Sequence, residues 1–193
     1  DEGTMKITSA KFIKGVAGTD AILEDHRPMV ALVGRSNAGK SSLVNSLVSR
    51  KDLARSSSKP GSTQEINVYL VNRSIYFLDL PGYGYVKAAR AGRERFQKLV
   101  EWYLFRSEYT QKKVVLIVEA NVGLTNDDFE MYRTLEETGK DIIIVANKVD
   151  KVKSSEYAQK IADIQATVGG RAVIPFSTTK RIGVGELWEA ILR

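Results

Sequence analysis

Residues 29–44 read MVALVGRSNAGKSSLV. The apolar run MVALV is of the buried-strand type and ends directly at Gly34. GRSNAGKS (34–41) then fits G-x-x-x-x-G-K-[ST], and a helix begins inside it, with Leu43, Val44, Leu47 and Val48 on one face of residues 39–49. Strand, glycine loop and helix in immediate succession form a phosphate loop. Gly34 and Gly39 let the chain wrap so that successive N–H groups face phosphate oxygens, and the helix N-terminus adds a favourable dipole. The candidate cradle is Gly34, Arg35, Ser36, Asn37, Ala38 and Gly39, followed by Lys40, Ser41 and Ser42. Lys40 is placed to bridge the β- and γ-phosphates, and the Ser41 hydroxyl to ligate Mg²⁺. A plain glycine turn before a helix is the bland alternative, and the strand immediately ahead weighs against it.

Outward from this stretch, strand and helix patterns alternate. EINVYLV (65–71) and SIYFLDL (74–80) lie two residues apart across Asn72-Arg73 and predict an antiparallel hairpin. Phe96, Leu99, Val100, Tyr103 and Leu104 recur at helical spacing within 92–107. VVLIVEA (114–120), a helix near 126–138, DIIIVAN (141–147), a helix near 154–167, RAVIPFS (171–177) and a helix near 184–192 complete the series. Such alternation predicts a single α/β domain of three layers, with a mostly parallel sheet of six to seven strands that includes one antiparallel strand. Residues 5–13 alternate weakly, so 1–28 read as an N-terminal segment with a candidate first strand, ahead of a nucleotide-binding domain over 29–193.

Composition excludes several chemistries. The chain has 193 residues and no cysteine, which removes disulfide scaffolds, thiol nucleophiles and Cys-ligated metals. His26 is the single histidine, so a His-rich metal site is excluded and a Ser-His-Asp triad is improbable. No apolar run reaches the roughly 18 residues of a membrane helix, and the N-terminus has no apolar signal core. Met5 reads as the natural start, with Asp1 to Thr4 as an addition, and a cytoplasmic, monomeric protein without membrane insertion is expected. The net charge of +6 points to polyanionic partners without choosing among nucleic acid, membrane and nucleotide.

Two further motifs choose. NKVD (147–150) follows the strand DIIIVA. A carboxylate at Asp150 can accept both N1–H and the exocyclic amine of guanine, whereas adenine would leave it desolvated and unpaired. Asn147 is expected to tie the base loop to the phosphate loop, and the Lys148 stem to cover one face of the base. Alone, N-K-x-D also fits a solvated turn; at a strand's carboxyl end, 107 residues after Lys40, it reads as base recognition. DLPG (79–82) ends SIYFLDL. Asp79 can hold a Mg²⁺-bound water there, and the Gly82 N–H can meet the γ-phosphate, so that the following loop senses that phosphate.

Phosphate loop, DxxG and NKxD in this order resemble the translation-factor-like GTPases. More narrowly, KPGSTQ (59–64), DLPGYGY (79–85) and FSTTK (176–180) resemble the EngB family (also YihA or YsxC) of small bacterial GTPases, over nearly the whole chain from about residue 29. The resemblance implies a P-loop GTPase domain that binds GTP and GDP and hydrolyses GTP with Mg²⁺. It implies that Gly61 and Ser62 contact nucleotide and that Thr63 is the switch threonine completing the Mg²⁺ shell, which makes Lys40, Thr63 and Gly82 the candidate catalytic set. It implies that Ser177, Thr178 and Lys180 form the last base-contacting loop, Thr178 through its backbone. It also implies roles in assembling the large ribosomal subunit, with ribosomal RNA and proteins as partners, and in cell division and septation.

Regulatory GTPases usually place a water-orienting Gln after the DxxG glycine; Tyr83 stands there, which predicts slow intrinsic hydrolysis. Asn37 matches an asparagine that helps hold K⁺ in related GTPases, and K⁺ there would neutralise developing charge. Arg50, Lys51, Arg55 and Lys59 in a loop over 50–64, and Lys87, Arg90, Arg93 and Arg95 in or beyond a loop over 80–92, are either merely solvated or a face for ribosomal RNA. Tyr83 and Tyr85 either stack on an unpaired base or pack internally. His26 reads as an exposed loop residue, and Trp102 and Trp188 as core or partial core. Three roles follow: a slow switch on a large-subunit precursor, an RNA-binding assembly factor with incidental hydrolysis, or a septum interaction protein without RNA.

Overall fold

The computed structural model describes residues 5–54, 65–84 and 97–193. Seven strands, β1 (Ala10–Val16), β2 (Met29–Gly34), β3 (Ile66–Val71), β4 (Ile75–Asp79), β5 (Lys113–Glu119), β6 (Ile142–Asn147) and β7 (Val173–Pro175), form one sheet in the order β1-β3-β4-β2-β5-β6-β7. Pairing is parallel from β4 through β7, and β3 is the one reversed strand, antiparallel to both β1 and β4. The hairpin closes as expected. Asn72 and Arg73 both take left-handed φ, 54° and 56°, and the Ser74 N–H donates to the Val71 carbonyl at 3.0 Å, a turn whose twist matches the strands.

All six residues of β2 are buried because both sheet faces are covered. Met29, Ala31 and Val33 enter one apolar layer with Tyr103, Leu104 and Leu135; Val30 and Leu32 enter the other with Leu43, Leu187 and Trp188. Helices α1 (Lys40–Leu47) and α4 (Val184–Leu192) cover the second face, and the Trp188 indole donates to the Leu47 carbonyl at 2.9 Å. On the first face lie helical residues 97–101 with the π-helical turn Trp102–Arg106, then α2 (Asn126–Glu137) and α3 (Ser154–Thr167). Trp188 is fully buried and Trp102 half-buried, and His26 is exposed.

Three details differ from the sequence reading. The first strand is Ala10–Val16 rather than the alternation over 5–13, because a bulge between Phe12 and Lys14 breaks the period on which alternation depends. The last strand is confined to Val173–Pro175. Residues 50–54 are also less loop-like than expected. The Asn45 side chain donates to the Ala54 carbonyl at 2.7 Å and accepts its N–H at 2.6 Å, pinning this turn to α1.

Candidate functional site

The carboxyl ends of β2, β4, β5 and β6 finish along one edge of the sheet. Leu32 pairs with Asp79, Gly34 with Ile117 and Glu119 with Asn147, so the three motifs meet where α1 starts. Chain order reverses around β2, the place where open α/β sheets bind ligands.

Gly39 caps α1 at φ 92°, a left-handed conformation that favours glycine. The first helical bond is Leu43 N–H to the Gly39 carbonyl, so the amides of Gly39, Lys40, Ser41 and Ser42 stand ahead of any i−4 acceptor in the helix. Ser36 and Ala38 are committed differently from a fully inward-facing cradle: the Ser36 N–H donates to the Tyr83 carbonyl at 3.1 Å and the Ala38 N–H to the Arg35 carbonyl at 3.0 Å. Gly34 is pressed against the Ile117 carbonyl, where an added Cβ would lie 2.8 Å away.

Lys40 is 8% exposed and Asp79 5%, two opposite charges withdrawn from water at the loop's floor. Burial pushes the Lys40 ammonium down and the Asp79 carboxyl up, and each is partly offset by attraction to the other. The Ser41 hydroxyl lies 3.5 Å from Asp79 Oδ2, at the limit of a hydrogen bond, and Asp79 Oδ1 is buried with no hydrogen-bond partner. An orphaned carboxylate oxygen beside a hydroxyl, at the floor of a phosphate loop, fits a hydrated Mg²⁺ held with nucleotide phosphates. Among the described residues no group of three or more His, Cys, Asp or Glu side chains forms a metal cage.

The base side is assembled by β6 and the turn after it. Asn147 is 2% exposed and donates from Nδ2 to the Ala38 carbonyl at 2.8 Å, the link between base loop and phosphate loop that the sequence predicts. Lys148, at φ 62°, sends its ammonium to the Asn37 carbonyl at 2.8 Å and to Glu119 Oε1 at 2.6 Å, which stretches its stem alongside the loop. Asp150 Oδ1 accepts the Ser177 hydroxyl at 2.7 Å, and this bond holds the carboxyl below its usual range and charged. The Lys180 N–H donates to Ser177 Oγ at 3.1 Å, and Ser177 exchanges both backbone bonds with Ile182, closing the turn that carries Thr178 and Lys180. Gly61, Ser62 and Thr63 lie outside the described residues, as do Arg55, Lys59, Tyr85, Lys87, Arg90, Arg93 and Arg95.

Gly82 sits against the phosphate loop so closely that a Cβ would fall 2.5 Å from Ser36 Cα. Tyr83 is half-buried and tied to the protein at both ends: its N–H donates to the Gly34 carbonyl at 3.3 Å and its phenol to Asp128 Oδ1 at 2.6 Å. Burial, then Asp128, push the phenol above its ordinary range, so it stays a donor. Sequence reading missed Glu119 and Asp128. Asp128 carried one signal, because Thr125 and Asp128 form the capping box that starts α2.

One prediction arises directly. In Gly39→Ala the new methyl meets Asn147 Nδ2 at 2.5 Å in a left-handed backbone. Strain of about 1–3 kcal/mol and the disturbed Asn147–Ala38 bond lower GDP affinity about 10- to 100-fold in a fluorescent-nucleotide titration.

A phosphate loop on a strand–helix junction, a buried acid beside its serine and a guanine-type NKxD turn define the class: a P-loop GTPase, which binds GTP and GDP and hydrolyses GTP to GDP and phosphate. A family model described as 50S ribosome-binding GTPase matches residues 29–148. The chain is 43% identical over 192 residues to the probable GTP-binding protein EngB of Exiguobacterium sibiricum, covering 98% of this chain and 99% of that one. It is 37% identical over 190 residues to the probable GTP-binding protein EngB of Bacillus subtilis, covering 97% of both. The chain belongs to the EngB family of GTP-binding proteins. A crystal structure of a probable GTP-binding protein engB shares the fold, with TM-score 0.71 at 22% identity over 85% of this chain and 96% of that one. Era, solved with MgGDPNP and nucleotides 1506–1542 of 16S ribosomal RNA, superposes with TM-score 0.68 at 27% identity, over 86% of this chain and 57% of that one. No helix among the described residues is long and apolar enough to cross a membrane.

Proposed function

We propose that this protein is a cytoplasmic, monomeric GTP switch with slow Mg²⁺-dependent hydrolysis, which acts in assembly of the large ribosomal subunit and serves normal division and septation. The observation that carries the switch reading is the bond from Ser36 N–H to the Tyr83 carbonyl, because it ties the loop after Asp79 to the phosphate cradle itself. Whatever rearranges that cradle must rearrange this loop.

In this reading the nucleotide lies in the GTP-binding domain over 29–193, and residues 1–28 are an N-terminal segment that contributes the strand β1 to the same sheet. Residues 34–42 wrap its phosphates, with the amides of Gly39 to Ser42 at the start of α1 facing them and Lys40 on the β- and γ-oxygens. Ser41 and Thr63 ligate Mg²⁺ directly and Asp79 holds it through water; when bound, the cation neutralises charge on the phosphates. Gly61 and Ser62, beside Thr63 in sequence, contact the nucleotide. The Gly82 N–H meets the γ-phosphate. Asp150 reads guanine, Asn147 and Lys148 brace the base pocket, and Ser177, Thr178 and Lys180 close it. The Tyr83 phenol is engaged by Asp128 and is not a water-positioning group, which supports slow turnover.

The ribosomal reading draws support from the matching family description and from Era's complex with ribosomal RNA. Its test is a release experiment on large-subunit precursor particles. Protein loaded with GTP dissociates at the rate of hydrolysis, while protein loaded with a nonhydrolysable analogue stays bound; equal release rates make hydrolysis incidental. For K⁺, the Asn37 side chain makes no hydrogen bond among the described residues, and its carbonyl already turns toward Lys148. Bound K⁺ near Asn37 is expected to make GTP turnover faster in KCl than in NaCl. Equal rates in the two salts refute that part.

A further inference from the structure

Four cations gather on the flank of the base pocket, three of them outside the motifs and the fourth, Lys180, at the end of FSTTK. Arg50 and Lys51 follow α1, and Lys180 and Arg181 stand in the turn closed by Ser177 and Ile182. The Arg181 guanidinium donates to Ser49 Oγ at 3.3 Å, which brings the two segments together across 132 positions of sequence. All four side chains are exposed, and among the described residues none joins an ion pair. Asp52 is the single acid in 49–54 and 177–183.

The platform under them is fixed by protein bonds. Arg50 N–H donates to the Asn45 carbonyl at 3.0 Å, and the Asn45 side chain holds both backbone groups of buried Ala54. On the other side, the turn is held by the two Ser177–Ile182 backbone bonds. None of these contacts needs a nucleotide phosphate. Clustered like charges without counterions repel one another, and a polyanion that bridges them relieves this while releasing its own condensed ions. Arginine forks match phosphate oxygens bidentately.

We infer that Arg50, Lys51 and Arg181, with Lys180 beside them, form a fixed RNA-phosphate-binding face that engages RNA equally in the GDP and GTP states. This rests on the ribosomal reading above and differs from it in one respect: the contact belongs to a rigid flank and not to loops ordered by the γ-phosphate.

The test uses the full chain, loaded with GDP or with a nonhydrolysable GTP analogue, and a labelled mixed-sequence single-stranded RNA in a salt titration. The triple variant Arg50→Ala/Lys51→Ala/Arg181→Ala binds about tenfold more weakly in both states, and its log–log salt slope falls by about 2, at about 0.7 per phosphate contact. The control Lys11→Ala/Lys98→Ala/Arg133→Ala removes three exposed cations elsewhere and changes affinity by less than about twofold. Unchanged affinity for fluorescent GDP confirms that both variants are folded. Equal losses in triple variant and control overturn the proposed face and leave the ribosomal reading standing, as does a loss confined to the analogue-bound form. Displacement of RNA by polyglutamate of equal charge as readily as by unlabelled RNA assigns the face to an acidic protein and also overturns it. No binding of RNA by the unaltered protein in either state overturns both readings.

Discussion

Asp150→Asn moves nucleotide preference from GTP toward xanthosine triphosphate, with GTP affinity falling about a thousandfold, the cost of two charge-assisted hydrogen bonds. The structure fixes why exchange of one atom suffices. A charged carboxylate only accepts, so the Ser177 hydroxyl, which receives the Lys180 N–H, donates its own proton to Asp150 Oδ1 at 2.7 Å. An asparagine that goes on accepting this proton leaves its carbonyl oxygen at the Oδ1 position, which places its amide nitrogen where Oδ2 stood. That nitrogen opposes the exocyclic amine of guanine and suits the exocyclic oxygen of xanthine. Competition binding with the three triphosphates of guanosine, adenosine and xanthosine measures the change. Unaltered GTP preference removes Asp150 from base recognition.

Lys40→Ala lowers affinity for GDP and GTP together by about a hundredfold or more, as a charge-assisted contact to two phosphates is lost. Truncation removes the desolvation cost of a buried cation but leaves the Asp79 carboxyl buried without the attraction that partly offsets its own burial. The nucleotide-free variant therefore melts below the unaltered protein, and the stabilisation normally conferred by added GDP disappears. Intact nucleotide affinity in Lys40→Ala contradicts the phosphate-loop assignment.

Local periodicity made most of the fold legible. β2, β5 and β6 are continuous apolar runs because both sheet faces are covered, and helices at Ser154–Thr167 and Val184–Leu192 coincide with their predicted spans. Where a motif stands at a strand end, its meeting with the other motifs was legible too, down to the Asn147–Ala38 bond. What escaped depends on contacts that sequence spacing does not encode. Glu119 meets Lys148 from 29 positions away, and Asp128 meets Tyr83 from 45. Each is set by which elements the topology makes neighbours: Glu119 has the local pattern of a solvated acid, and the capping box of Asp128 signals a helix start and not its contact with Tyr83. Residues 50–54 looked like open loop for a similar reason, since one asparagine side chain supplies their backbone partners. β1 was misplaced because its bulge cancels alternation, leaving its position to pairing with β3.

The central claim is a guanine-nucleotide-dependent association with large-subunit precursors. Sucrose-gradient sedimentation with those particles, in GDP or in a nonhydrolysable GTP analogue and at two salt concentrations, tests it most directly. The predicted result is cosedimentation that is stronger with the analogue than with GDP and weakens as salt rises. Absence of the protein from particle fractions in both nucleotides at low salt contradicts the claim.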